Sequence, residues 1–182
     1  MLILVVGLFV HRGAKEKGTK LMDYNKIKIT ENQAINIALE NYNIQGTAKP
    51  LPGEIDFNFK IDATDGAEYI LKVSRPDENA DYLDFQQKLL LYANDQAKDL
   101  TVPKVIRDRQ GNLISEIKDE YGNIRKVRLL SWISGRVWST VNPQLDNLRH
   151  SLGEHCGRLT YALQGFDHPE AHRKFVWDIA EG

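Results

Sequence analysis

The sequence predicts an α+β fold: a five-stranded antiparallel sheet carrying one packed helix, followed by a linker and a further helix. Three observations predict it. Ile55, Phe57, Phe59 and Ile61 alternate with Asp56, Asn58 and Lys60, as a half-buried strand requires, and Glu68–Ser74 returns after the turn residues 62–66. Three further strand-like runs, 102–108, 113–118 and 124–133, are joined by Arg109-Gln-Gly-Asn112 and Asp119-Glu-Tyr-Gly-Asn123, whose Gly-Asn pairs suit tight hairpins. Two long helical patterns, 77–100 and 143–166, complete the set, the first inside the sheet region and the second beyond it.

Before the first hairpin, Thr30 and Gln33 stand in the capping-box arrangement, and Ala34, Ile35, Ala38 and Leu39 supply a narrow apolar stripe. A short surface helix is expected there, ended by Gly46 and the Pro50/Pro52 pair. In the 77–100 helix Leu83, Leu90, Ala93 and Ala97 share a face, widened by Leu89, and that face must pack on the sheet. In the 143–166 helix Leu145, Leu148, Leu152, Cys156, Leu159 and Leu163 step by three and four, an apolar seam that needs a partner. Phe175, Val176 and Trp177 add apolar surface that so little remaining chain cannot cover.

With 182 residues and a net charge of −1, the chain has no basic field that would release counterions from nucleic acid, so nucleic-acid binding is not expected. The basic cluster Arg125-Lys126-Val127-Arg128 is read as a solvated strand face. Cys156 is the only cysteine, which excludes an internal disulfide and favours a reducing, cytoplasmic compartment. Its place in the apolar seam predicts a buried thiol. The apolar run 1–10 is far shorter than the about 20 residues of a membrane span, and its basic residues follow rather than precede it. Residues 1–21 are therefore expected to lie outside the fold, with a peripheral membrane contact as the weaker alternative. His168 and His172 have a metal-ligating spacing, but Pro169 intervenes and no third ligand is evident, so a solvated pair is expected. His150 and His155 also read as exposed.

Lys72 is the one charge in the apolar run Tyr69-Ile-Leu-Lys-Val73. Strand geometry places it on the face of Ile70 and Ser74, opposite Tyr69, Leu71 and Val73. Either it snorkels to water from an edge strand, or it meets an anion such as a phosphate.

A lysine on the second hairpin strand, followed at once by a helix, is similar to the ATP-binding lobe of the protein-kinase-like fold. The chain resembles the aminoglycoside phosphotransferase family, and within it the hydroxylysine-kinase-like branch with the kinase-like domain fused to class III aminotransferases. The resemblance is carried by Leu51-Pro-Gly-Glu-Ile-Asp-Phe-Asn-Phe59, Tyr69-Ile-Leu-Lys-Val-Ser74, Leu83-Asp-Phe-Gln86, Val127-Arg-Leu-Leu130 with Gly135, Leu152-Gly153, Gly165-Phe166 and Trp177-Asp178. It runs from about residue 30 to the C-terminus. It implies an N-terminal, nucleotide-binding lobe over 22–135 and the start of a truncated C-terminal lobe over 136–182.

The resemblance further implies that Lys72 contacts the α- and β-phosphates of ATP or GTP, with Ile70 against the adenine. Residues 52–59 would cover the phosphates through backbone amides around Glu54–Asn58, with Gly53 as their one glycine. The linker Ser131–Gly135 would bond the adenine edge, with Trp132 or Ile133 beside it; alternatively Trp132 anchors the lobe junction. Where the fold usually has a glutamate pairing the lysine, this chain has Gln86, which offers a hydrogen bond without charge. Asp84, the nearest acid, lies about 200° away around the helix.

The family's His-x-Asp motif, its following Asn and its metal-binding Asp have no counterpart between Gly135 and Gly182. The chain is therefore expected to be inactive alone, with Mg2+ and an amine-bearing alcohol engaged only in a complete enzyme. Two other readings stand beside it. One is a nucleotide-binding or docking module that self-associates through the 143–166 helix; the other is an α+β interaction domain with a structural lysine.

Overall fold

The computed structural model describes residues 28–53 and 56–172. The expected extension 1–21 and Trp177 lie outside them. In order, the elements are α1 (Glu31–Tyr42), β1 (Gly46–Leu51), β2 (Phe57–Ala63), β3 (Glu68–Val73), α2 (Ala80–Gln96), β4 (Val105–Ile106), β5 (Ser115–Lys118), β6 (Ile124–Ser131) and α3 (Asp146–Ala162). Short 3-10 turns occupy Trp138–Thr140 and Pro169–His172.

The sheet is antiparallel, in the order β1-β2-β3-β6-β4, with β5 also paired to β6. It has six strands where five were expected. The additional strand is β1, whose Gly46 and Pro50 read as terminators. Gly46 sits opposite Ala63 in the ladder, and a Cβ there would fall 2.8 Å from the Ala63 Cα. Close backbone approach, not chain termination, explains this glycine. Pro50 is tolerated because β1 is an edge strand. The Asp62–Gly66 turn closes β2 onto β3, with Gly66 at φ 87°.

The α1 helix starts as expected: Thr30 Oγ1 accepts from the Gln33 amide and the Gln33 side chain accepts from the Thr30 amide. It is not a surface helix, however. Ile29, Ala34, Ile37 and Tyr42 form the main core with Phe59, Ile61, Leu71, Val73, Val127 and Leu129, so α1 covers the apolar face of the sheet. Its buried stripe runs through Ile37 and Tyr42 where Ile35 and Leu39 were expected; Leu39 is exposed.

The opposite face carries Asn58, Lys60, Ile70, Lys72, Arg128 and Leu130, placed there by strand alternation and cross-strand register. Here α2 packs, burying Tyr82, Leu83, Gln86, Gln87 and Ala93. Asn79 caps it, accepting from the amides of Asp81 and Tyr82. The sheet thus lies between two helices, and Lys72 sits on an interior strand.

Two expectations based on charge and pattern are overturned. Arg125 and Arg128 are buried rather than solvated, because register points Arg125 under Phe57 and Arg128 toward α2. Cys156 is exposed, since α3 buries none of its residues in this chain. No helix of the described residues is long and apolar enough to cross a membrane.

Candidate functional site

Antiparallel register sets Asn58, Lys72 and Arg128 side by side on three adjacent strands: Asn58 opposes Lys72 across β2–β3, and Lys72 opposes Arg128 across β3–β6. Lys72 Nζ donates to Asn58 Oδ1 at 2.7 Å and lies 3.3 Å from Asp56 Oδ2. The same Asp56 oxygen accepts from Arg128 Nη2 at 2.6 Å. Arg128 Nη1 in turn donates to Gln86 Oε1 from α2. Two cations therefore share one carboxylate on this sheet face.

Burial pushes Lys72 below the usual lysine range; Asp56 opposes that fall and the Arg128 charge adds to it. Burial also pushes Arg128 down, with Asp56 and Glu78 opposing. Glu78, ahead of α2, is held above the usual carboxylate range by burial and by Asp56. An ammonium has three donors; those to Asn58 and Asp56 leave Lys72 a third for an incoming oxygen.

Gly53 lies beside this cluster. A Cβ at Gly53 would stand 2.5 Å from the Asp56 carbonyl and closer still to Asn58 Nδ2. The glycine lets the chain fold down onto the two residues that hold Lys72. This arrangement fits a phosphate group: a cation with a spare donor, a guanidinium behind it, and backbone approach that a side chain would block. A metal is less well served, because Asp56 is already engaged by both cations, and no group of three His, Cys, Asp or Glu suited to a metal occurs among the described residues.

The other expected residues are less tightly drawn together. Ile70 is half-buried on the Lys72 face, flanked by Lys60 and Leu130. Trp132 donates its amide to the Glu68 carbonyl at 2.9 Å, and Lys60 Nζ sits 5.4 Å above its ring. Ile133 is half-buried next to it. Gln86 is at the helix position expected for a lysine partner, yet it bonds Arg128.

Asp56 and Arg128 were not singled out from sequence. The signal existed: Arg128 lies among Val127, Leu129 and Leu130 just as Lys72 lies among Leu71 and Val73. His168 differs from its expectation, being only 12% exposed, 3.2 Å from Asp84 Oδ2 and against the Phe85 ring. His155 is half-buried, with Nδ1 2.8 Å from the Ser151 carbonyl. A cleft of 580 Å³ between α2 and α3 includes Tyr92, Ala97, Gly157, Arg158 and Tyr161, and none of the cation cluster lines it.

Residues 47–181 match the model of the APH phosphotransferase enzyme family. The chain belongs to the phosphotransferase enzyme family. Its curated relatives include hydroxylysine kinase of Danio rerio, 23% identical over 167 residues, which spans 85% of this chain and 46% of that protein. Among solved structures, the chain is similar to amicoumacin kinase hAmiN in complex with AMP-PNP, Ca2+ and Ami (TM-score 0.69, 17% identity, 86% of this chain and 47% of that one). It is also similar to the microcompartment-associated aminopropanol kinase (TM-score 0.59, 22% identity, 78% and 43%). The chain spans about half the length of these relatives. The kinase-like α+β fold expected from sequence is the fold observed.

Proposed function

We propose that this chain is the nucleotide-binding part of a small-molecule kinase, and that Lys72 holds the α- and β-phosphates of ATP or GTP. The observation that carries the reading is the position of Lys72: an interior strand, a cation beside it, and a donor to spare. In this reading Gly53 and Asn58 shape the phosphate side, Ile70 underlies the adenine, and Trp132 and Ile133 border it on the linker. Gln86 supports the site from α2. Two of the similar proteins are named for hydroxylysine and aminopropanol, so the acceptor in a complete enzyme is a hydroxyl on an amine-bearing metabolite. Phosphoryl transfer needs a carboxylate base to receive the hydroxyl proton and further carboxylates to hold Mg2+. Those groups come from outside this cluster, and the chain alone binds without turnover. The single cysteine accords with a cytoplasmic setting.

The test is a thermal shift with ATP and with GTP, repeated on Lys72→Ala. Stabilisation by about 2.7 kcal/mol is expected at a nucleotide concentration 100 times the dissociation constant, and its loss in the variant. A folded chain that neither nucleotide stabilises overturns the reading.

A second reading, a docking module, is favoured by α3 and its N-cap, which leave Tyr161 and Leu145 exposed. Sedimentation at rising concentration distinguishes it: self-association lost in Leu145→Ser supports docking, and a monomer throughout removes it.

A further inference from the structure

In the cation cluster, the residue at the helix position expected to face the lysine is neutral and bonded elsewhere. Gln86 gives its carbonyl oxygen to Arg128. The lysine's countercharge comes instead from the stretch that enters β2, where Asp56 Oδ2 lies 3.3 Å from Lys72 Nζ and 2.6 Å from Arg128 Nη2. Arg128 is 1% exposed and Asp56 9%, so neither charge is relieved by water. We infer that Asp56 and Arg128 are the positioning residues for Lys72: Asp56 supplies its countercharge, and Arg128 anchors Asp56 while tying α2 to the sheet through Gln86. The inference rests on the reading of Lys72 as the phosphate-binding lysine, but its test does not involve nucleotide.

Arg128 is central to the physical argument. A lone carboxylate beside a lysine would form a neutral pair with little pull on an anion. With the guanidinium added, the trio carries a net positive charge inside a low-dielectric wall, and Glu78 offsets it only as far as it ionises, which burial and Asp56 oppose. Asp56 keeps Lys72 protonated against its burial, whereas Arg128 repels it. The other charged or titratable groups electrostatically coupled to the trio are Glu78, ahead of α2, and Tyr82 on α2. Asn58 fixes the ammonium from β2 as a neutral acceptor.

The experiment is amine acylation of the folded, nucleotide-free chain with acetic anhydride. Modification of the Lys72 peptide is followed by mass spectrometry across a pH series. The midpoint of the profile reports Lys72 protonation independently of access. Asp56→Asn should move the midpoint down by roughly one unit or more, the size of a lost adjacent charge; at a pH below both midpoints Lys72 then labels roughly tenfold faster. Asp56→Glu should restore the midpoint. In an Arg128→Met background Asp56→Asn should shift the midpoint less than in the parent, because an unanchored Asp56 no longer faces Lys72, and Gln86→Leu should leave it in place. A midpoint unmoved by Asp56→Asn, or moved down by Gln86→Leu, overturns the inference. If Asp56→Asn does not give a cooperative melt, Gln86→Leu decides alone: a fall in its midpoint would make Gln86 the group that keeps Lys72 protonated and overturns the inference. Should the midpoints behave as expected while nucleotide fails to stabilise the chain, the charge arrangement stands and the nucleotide reading falls.

Discussion

Breaking the buried pair of Arg125 and Asp119 should unfold a large part of the molecule's stability while leaving its turn intact. Arg125 Nε donates to Asp119 Oδ2 at 2.7 Å, with both side chains essentially buried, at 0% and 2% exposure. Arg125 Nη1 reaches the Ser74 carbonyl at 3.2 Å, and the guanidinium lies 5.7 Å from the Phe57 ring centre. The other carboxylate oxygen closes the β5–β6 turn, accepting from the amides of Tyr121 and Asn123 at 3.0 and 2.9 Å. Asp119→Asn retains that acceptor but removes the charge facing Arg125. A buried guanidinium without its counterion costs about 3–5 kcal/mol, against a total stability of roughly 5–15 kcal/mol. With a urea slope of about 1–3 kcal/mol/M, the unfolding midpoint should fall by roughly 2 M. The double variant Asp119→Asn/Arg125→Met, which replaces the ion by an apolar chain of similar length, should regain most of that loss. A second readout follows from pH. Burial alone would raise Asp119, but hydrogen bonds from Arg125 and Asn123 outweigh it and hold the carboxyl below the usual range. Its contribution is therefore present above the unfolded value of about 3.9 and lost as pH falls through the lower folded value. Asp119→Asn should flatten that part of the acid limb. A loss under about 1 kcal/mol, or a double variant no more stable than the single, would refute the reasoning.

Gly53→Ala should weaken nucleotide binding, because the added methyl must displace the Asp56 carbonyl or the Asn58 amide. Overpacking costs about 1–3 kcal/mol, roughly 5- to 150-fold in dissociation constant, measured by titration calorimetry; unchanged affinity counts against the phosphate cradle. Tyr42→Phe should alter the alkaline limb of stability. Burial pushes Tyr42 up to about 12, so the folded state keeps a proton that the unfolded chain releases near 10. That contribution, about 2–3 kcal/mol, is present below about pH 10 and lost toward 12, and denaturant melts across this range should show the decline in the parent but not in the variant.

Much of the sheet was legible because its signals are local. Alternation at Phe57, Phe59 and Ile61, the turn at Gly66, and the capping box at Thr30 and Gln33 each depend on residues a few positions apart. β1 was hidden because its Gly and Pro mark breaks in most settings, and only pairing with β2 at a sheet edge makes them acceptable. Burial of α1 was hidden for a similar reason: its stripe is narrow, and its depth is set by the sheet face beneath it.

The sequence by itself determined that Lys72 lies on a strand among apolar neighbours, on the face opposite Leu71 and Val73, since side-chain parity follows directly from residue number. It also determined that Gln86 brings no charge to that face. What surrounds Lys72 was decided by tertiary structure alone. Register between β3 and β6 joins positions 72 and 128, and the entry to β2 brings Asp56 between them. A carboxylate, a guanidinium and an ammonium so far apart in the chain carry no mutual periodicity. Their electrostatics exist only once strand pairing has removed them together from water.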